Sequence, residues 1–69
     1  MVLKFCNSKG REKEIAVLQE QRDVERIIKK YGSDRNYNIN ILSATKINDK
    51  IVYDFGSWSE YFVLYLDGD

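Results

Sequence analysis

The stretch YFVLYL, Tyr61 to Leu66, is apolar on both of its alternating sides. As a strand it sends Phe62, Leu64 and Leu66 one way and Tyr61, Val63 and Tyr65 the other, so two faces ask for cover. A chain of 69 residues has little to cover them with. Domains of this size bury only ~60% of the surface their unfolded form exposes, and they compensate with disulfides, a metal or self-association. Cys6 is the only cysteine and histidine is absent. No intrachain disulfide can form, a zinc site lacks ligands, and no cofactor is expected. Dense packing or association with another surface remains.

Lysine plus arginine and aspartate plus glutamate number 11 each, so no global charge draws the chain to nucleic acid or to an anionic membrane. Residues 1–35 carry nine basic and six acidic side chains and residues 36–69 carry two and five, a weak dipole. There is no apolar run long enough to span a membrane and no apolar core of a secretion signal at the N-terminus. A lone free thiol fits a reducing compartment, and the expected location is cytoplasmic. Proline is missing while Lys, Ile, Asn and Tyr abound, which suits the AT-rich coding of a low-GC bacterium or of its phages and plasmids.

The periodicities predict one α+β domain over residues 1–69, in the order ββαβββ. VLKFCN and EIAVL read as a hairpin over residues 2–18, turning at Gly10, with Leu3, Phe5, Ile15 and Val17 on the core side. Val24, Ile27, Ile28 and Tyr31 form one helical stripe, the helix starting near Glu20 or capped by Asp23. Gly32 stands where a left-handed C-terminal cap belongs. NYNINIL alternates most cleanly, with Tyr37, Ile39 and Ile41 against Asn36, Asn38 and Asn40. With IVYDF and WSEYFVLYL it makes a three-stranded antiparallel meander, so that a five-stranded sheet carries one helix on one face.

A three-residue turn at 48–50 sets Ile39, Ile41 and Ile47 beside Ile51, Tyr53 and Phe55. A two-residue Gly56-Ser57 turn places Trp58 opposite Phe55, at the rim of the core; the alternative is an exposed hot spot. The other face then carries Leu42, Val52, Tyr61, Val63 and Tyr65, interleaved with Asn38, Asn40, Lys46 and Asp54. One helix cannot cover both sides.

Chemistry-bearing motifs are scarce. Asp54-Phe55-Gly56 spells a kinase metal-binding triplet without the kinase lobes around it. The glycines form no phosphate loop, and without histidine the usual general base and nucleophile pairs are missing. Cys6 alternates with apolar neighbours as a packing residue does. Asp54 and Glu60 fall on opposite faces, where solvation accounts for them. Tyr61 and Tyr65 with Lys46 and Asn40 could stack single-stranded bases, but the meander half is acidic and repels phosphate.

What remains is a non-enzymatic protein-binding module with no catalytic, cofactor or metal site. It fits a phage- or mobile-element-encoded inhibitor that masks a host enzyme or defence protein, acting as a homodimer. The expected protein-binding residues are Tyr61, Val63, Tyr65, Val52, Leu42 and Trp58, since tyrosine and tryptophan concentrate at interface hot spots. Self-association is expected through the sheet face or edge near the last strand. The alternatives are a self-assembling structural protein and a single-stranded nucleic-acid binder using the sheet-face tyrosines.

Overall fold

Strands β1 (Val2–Cys6) and β2 (Glu12–Val17) pair as the predicted hairpin in a computed structural model that describes residues 1–66. Asn7 makes the turn: its side-chain Oδ1 accepts the amides of Lys9 at 2.9 Å and Arg11 at 3.0 Å, and Gly10 takes a φ of 78°. That positive φ is cheap only without a Cβ. The ladder slips between Leu3 and Lys4, whose partners are Ala16 and Glu14, leaving Ile15 as an unpaired bulge residue. A bulge inverts the alternation beyond it. Ala16 therefore faces the core and Val17, expected inside, is 68% exposed on the opposite face.

A short 3₁₀ turn, Gln21–Asp23, leads into α1 (Val24–Ser33). Val24, Ile28 and Gly32 are buried, with Ile27 and Tyr31 half-buried beside them, so the stripe faces the sheet as expected. The end of the helix differs from expectation. Gly32 lies inside α1, and the left-handed residue is Asn36, at φ 57°. The glycine is required for space instead: a Cβ there would come within 2.6 Å of the Tyr37 carbonyl oxygen and 2.7 Å of the Ile39 side chain. The Tyr37 amide donates to the Gly32 carbonyl at 2.8 Å, pulling the following segment across the helix.

Strands β3 (Ser43–Ile47), β4 (Lys50–Asp54) and β5 (Tyr61–Tyr65) form the antiparallel meander. The register corrects two expectations. Ile47 pairs with Lys50 across a two-residue Asn48-Asp49 turn, with Asn48 at φ 54°, so the turn is one residue shorter than read from the sequence. A one-residue slip exchanges faces. Lys46 moves to the helix side opposite Ile51, while Ser43, Thr45 and Ile47 join the other face. NYNINIL is not a strand. Its last ladder contact is Leu42 N–H to the Asp54 carbonyl at 2.7 Å. Residues before Leu42 run past the end of β4 and have no strand to pair with. Their alternation still works: Ile39 is buried and Ile41 packs on the core, with Asn38 and Asn40 exposed.

The five strands run in the order β2-β1-β5-β4-β3, every pair antiparallel. The chain is thus α+β as predicted, with β5 inside the sheet and β2 and β3 at its edges. Leu3, Ile51, Tyr53, Phe62 and Leu64 line the helix side of the sheet and form one cluster with Leu18, Val24, Ile28 and Ile39. Phe62 joins an aromatic run, 5.1 Å from Phe5, 5.5 Å from Phe55 and 5.8 Å from Tyr31 between ring centroids. Among the described residues, no helix is long and apolar enough to cross a membrane.

Two substitutions test this packing. Ile28→Ala removes a fully buried side chain and should cost ~2–5 kcal/mol, read as a large fall in the thermal midpoint; an unchanged midpoint would contradict the helix-on-sheet core. Gly32→Ala favours helix by ~1 kcal/mol in the open, yet here should destabilise by ~1–3 kcal/mol through overpacking against Tyr37 and Ile39. Denaturant titration that shows stabilisation would refute the close crossing.

Candidate interaction surface

No element packs on the face opposite α1 among the described residues, yet Val2, Cys6 and Val63 on that face are buried, Val63 at 2% exposure. Long side chains of the same face lie across them. The Tyr65 hydroxyl donates to a Glu12 carboxylate oxygen at 2.6 Å, reaching from β5 over β1 to β2. Lys4 lies between, its Nζ 3.8 Å from Glu12 and 5.2 Å from the Tyr65 ring centroid. The ladder sets Lys4 directly opposite Val63, and Tyr65 opposite Val2. The sheet face that asked for a partner is therefore partly covered by its own lattice of charged and phenolic side chains.

Trp58 does the reverse. It is fully exposed, at 103% of its reference surface, not at the rim of the core. The expected two-residue turn is replaced by a loop from Phe55 to Glu60 between the ends of β4 and β5. Short polar side chains hold that loop by competing for its backbone amides: Asp54 Oδ1 accepts the Gly56 N–H at 2.8 Å, and Ser57 Oγ accepts the Glu60 N–H at 3.2 Å. Gly56 sits at φ 93°. Phe55 stays with the core aromatics, while the chain turns outward and presents the indole on a pinned support.

The expected binding residues separate into two groups. Trp58, Tyr61 and Val52 line one shallow groove of about 210 Å³ with Asp54, Ser57 and Ser59, and exposed Leu42 lies beside the same loop, 3.2 Å from where a Gly56 Cβ would be. Val63 and Tyr65 are not available in the same way, the first buried and the second bonded to Glu12. Lys46 and Asn40, considered with the tyrosines for stacking bases, are absent from this face: Lys46 points to the helix side and Asn40 is in the loop before β3. Because β5 is interior, it offers no free edge for strand pairing.

A second concavity has no signature in the sequence pattern. Phe5, Tyr31, Tyr37 and Phe55 wall a cleft of about 320 Å³ on the helix side, with Arg35 and Glu60 at its rim. Phe55 and Tyr37 meet edge to face, centroids 6.4 Å apart. The Arg35 guanidinium stacks on Tyr31, Cζ 3.6 Å from the ring centroid, and donates to the Tyr31 carbonyl at 3.1 Å. Glu60 lines both this cleft and the groove under Trp58. The cleft depends on the crossing at Gly32, which no local pattern announces. Among the described residues, no cluster of three or more metal-ligating side chains accompanies either concavity.

The Tyr65–Glu12 contact has a pH signature. Its hydrogen bond to Glu12, then burial and the Glu12 charge, push the Tyr65 pKa from 10 up to about 12. A raised pKa means that the fold favours the neutral phenol, so the contribution is complete below pH 10 and is lost as pH rises through about 12. Tyr65→Phe should therefore destabilise the chain by about 1 kcal/mol or less at neutral pH. Denaturant titrations should show that gap closing toward pH 12; a gap that persists or widens there would rule the contact out.

No protein-family model matches this chain, and no curated protein or solved structure matches it either.

Proposed function

We propose that the chain is a non-enzymatic protein-binding module whose anchor is Trp58, with Tyr61, Val52 and Leu42 around it. The observation that carries this reading is the pinned, fully exposed indole. A large amphipathic ring leaves water readily, and tryptophan is enriched at interface hot spots. Holding it in place beforehand lowers the ordering cost of association. The action that such a surface supports is occlusion of a partner's surface, as a small inhibitor does. A protein partner suits this face better than single-stranded nucleic acid: Glu12, Glu14 and Asp54 stand on it with Lys4 and Lys50, and Tyr65 is occupied by Glu12.

Trp58→Ala tests the reading. At dilute protein the thermal midpoint should stay within the ~0.5 kcal/mol equivalent typical of surface changes. Affinity for a partner captured from the source cell should fall by ~30-fold or more, the equivalent of a ~2 kcal/mol hot spot. A partner held equally by wild type and Trp58→Ala would remove Trp58 from the interface.

A further inference from the structure

We propose that the aromatic cleft receives Trp58 of a second copy of this chain, each copy of a two-fold dimer donating its indole to the other. The inference rests on Trp58 as an interface anchor and names its occupant. Four observations converge. The indole is fully exposed, and its loop is hydrogen-bonded so as to hold it away from its own core. The cleft, at about 320 Å³, is at the small end of ligand sites, which run from ~300 to ~1,000 Å³, and suits one large side chain. Its walls are rings, against which an indole packs offset or edge to face, and the Arg35 guanidinium already stacks on one of them. A buried indole N–H needs an acceptor. The Glu60 carboxylate at the rim forms no ion pair or side-chain hydrogen bond among the described residues and supplies one.

Placement also favours exchange between identical copies. Glu60 borders both the cleft and the groove beneath Trp58, so donor and acceptor adjoin at one end of the molecule. In a two-fold interface, residue i of one copy meets j of the other and j meets i. In the proposed dimer the two-fold axis runs beside this shared border, and each indole crosses it to the cleft of the other copy. Such a dimer leaves the edge strands β2 and β3 unpaired, so it differs from association by sheet extension.

Trp58 is the only tryptophan, so intrinsic fluorescence reports on it alone. As concentration rises, its emission should shift to shorter wavelength and its acrylamide quenching should fall severalfold, in step with a light-scattering mass that doubles. Trp58→Ala should remain monomeric. Tyr37→Ala opens the cleft wall at a residue 56% exposed, so the fold is spared; this variant should stay quenchable at all concentrations. If Tyr37→Ala does not fold, Arg35→Ala, which also lines the cleft, takes its place. Mixing the two variants is the decisive step. Trp58→Ala brings an intact cleft and no tryptophan, so the mixture should recover the blue shift that the cleft variant lacks. Emission that stays unchanged on mixing, wild-type Trp58 quenchable at every concentration, or a Trp58→Ala dimer as tight as wild type would each overturn the exchange. None of these results alters the test of capture by Trp58, so failure of the dimer and failure of the binding reading are told apart.

Discussion

Pairing of the first strand with the last organises everything else. Leu3 faces Leu64 and Phe5 faces Phe62 across β1 and β5 at the middle of the sheet. Each fully buried apolar side chain contributes ~1.5–3 kcal/mol, and Leu3, Phe62 and Leu64 are among the largest of them. This pairing is the most distant in sequence, so its loop-closure entropy is the greatest, though that cost grows only slowly with length. Once made, it leaves β2 and β3 at opposite edges. The chain between those edges must cross the sheet, and α1 is that crossing.

The crossing explains the helix end. A helix laid from one edge to the other must pass the chain on to β3, and here the connection folds back over Gly32 with its carbonyl 2.6 Å from the position of an added Cβ. Tyr37 is thereby set opposite Phe55, and the last turn of α1 with the turn that follows it brings Tyr31 and Arg35 to the same end. The aromatic cleft is the space left between a helix terminus, a backbone crossing and the outward loop after β4. Its residues come from four separate parts of the chain, and a change at Gly32 would disturb packing and cleft together.

The two sides of the sheet meet their cover differently. Helix α1 and the segment through Ile39 cover one side. On the other, Tyr65, Lys4 and Glu12 reach over smaller neighbours, so an apolar strand tolerates water without a second layer. This shifts the question of a partner away from the middle of β5. Val17 and Ile47 stay exposed at the two edges, and the most exposed large apolar side chain is Trp58, on a loop whose hydrogen bonds are local.

By itself the sequence determined what depends on local pattern: the hairpin at Gly10, the helical stripe of Val24, Ile28 and Tyr31, the order ββαβββ, and the core side of β4 and β5. Periods of 3.6 and 2 and the turn chemistry of Asn and Gly carry that information within a few residues. The placement of Tyr61 and Val52 on the side away from the helix is legible for the same reason. Tertiary structure decided the rest. Two-residue and three-residue turns at Asn48 suit the same sequence, and only the ladder to β4 chose between them, which moved Ile47 outward and left NYNINIL without a strand to join. Ile15 could bulge because β2 is an edge, with nothing beyond it to keep the register. Trp58 suits the rim of a core or an exposed hot spot equally well by local pattern, standing between Ser57 and Ser59 beyond the aromatic Phe55. In the folded chain Asp54 and Ser57 accept backbone amides of a loop that stands in place of the tight turn, and the indole is left outside.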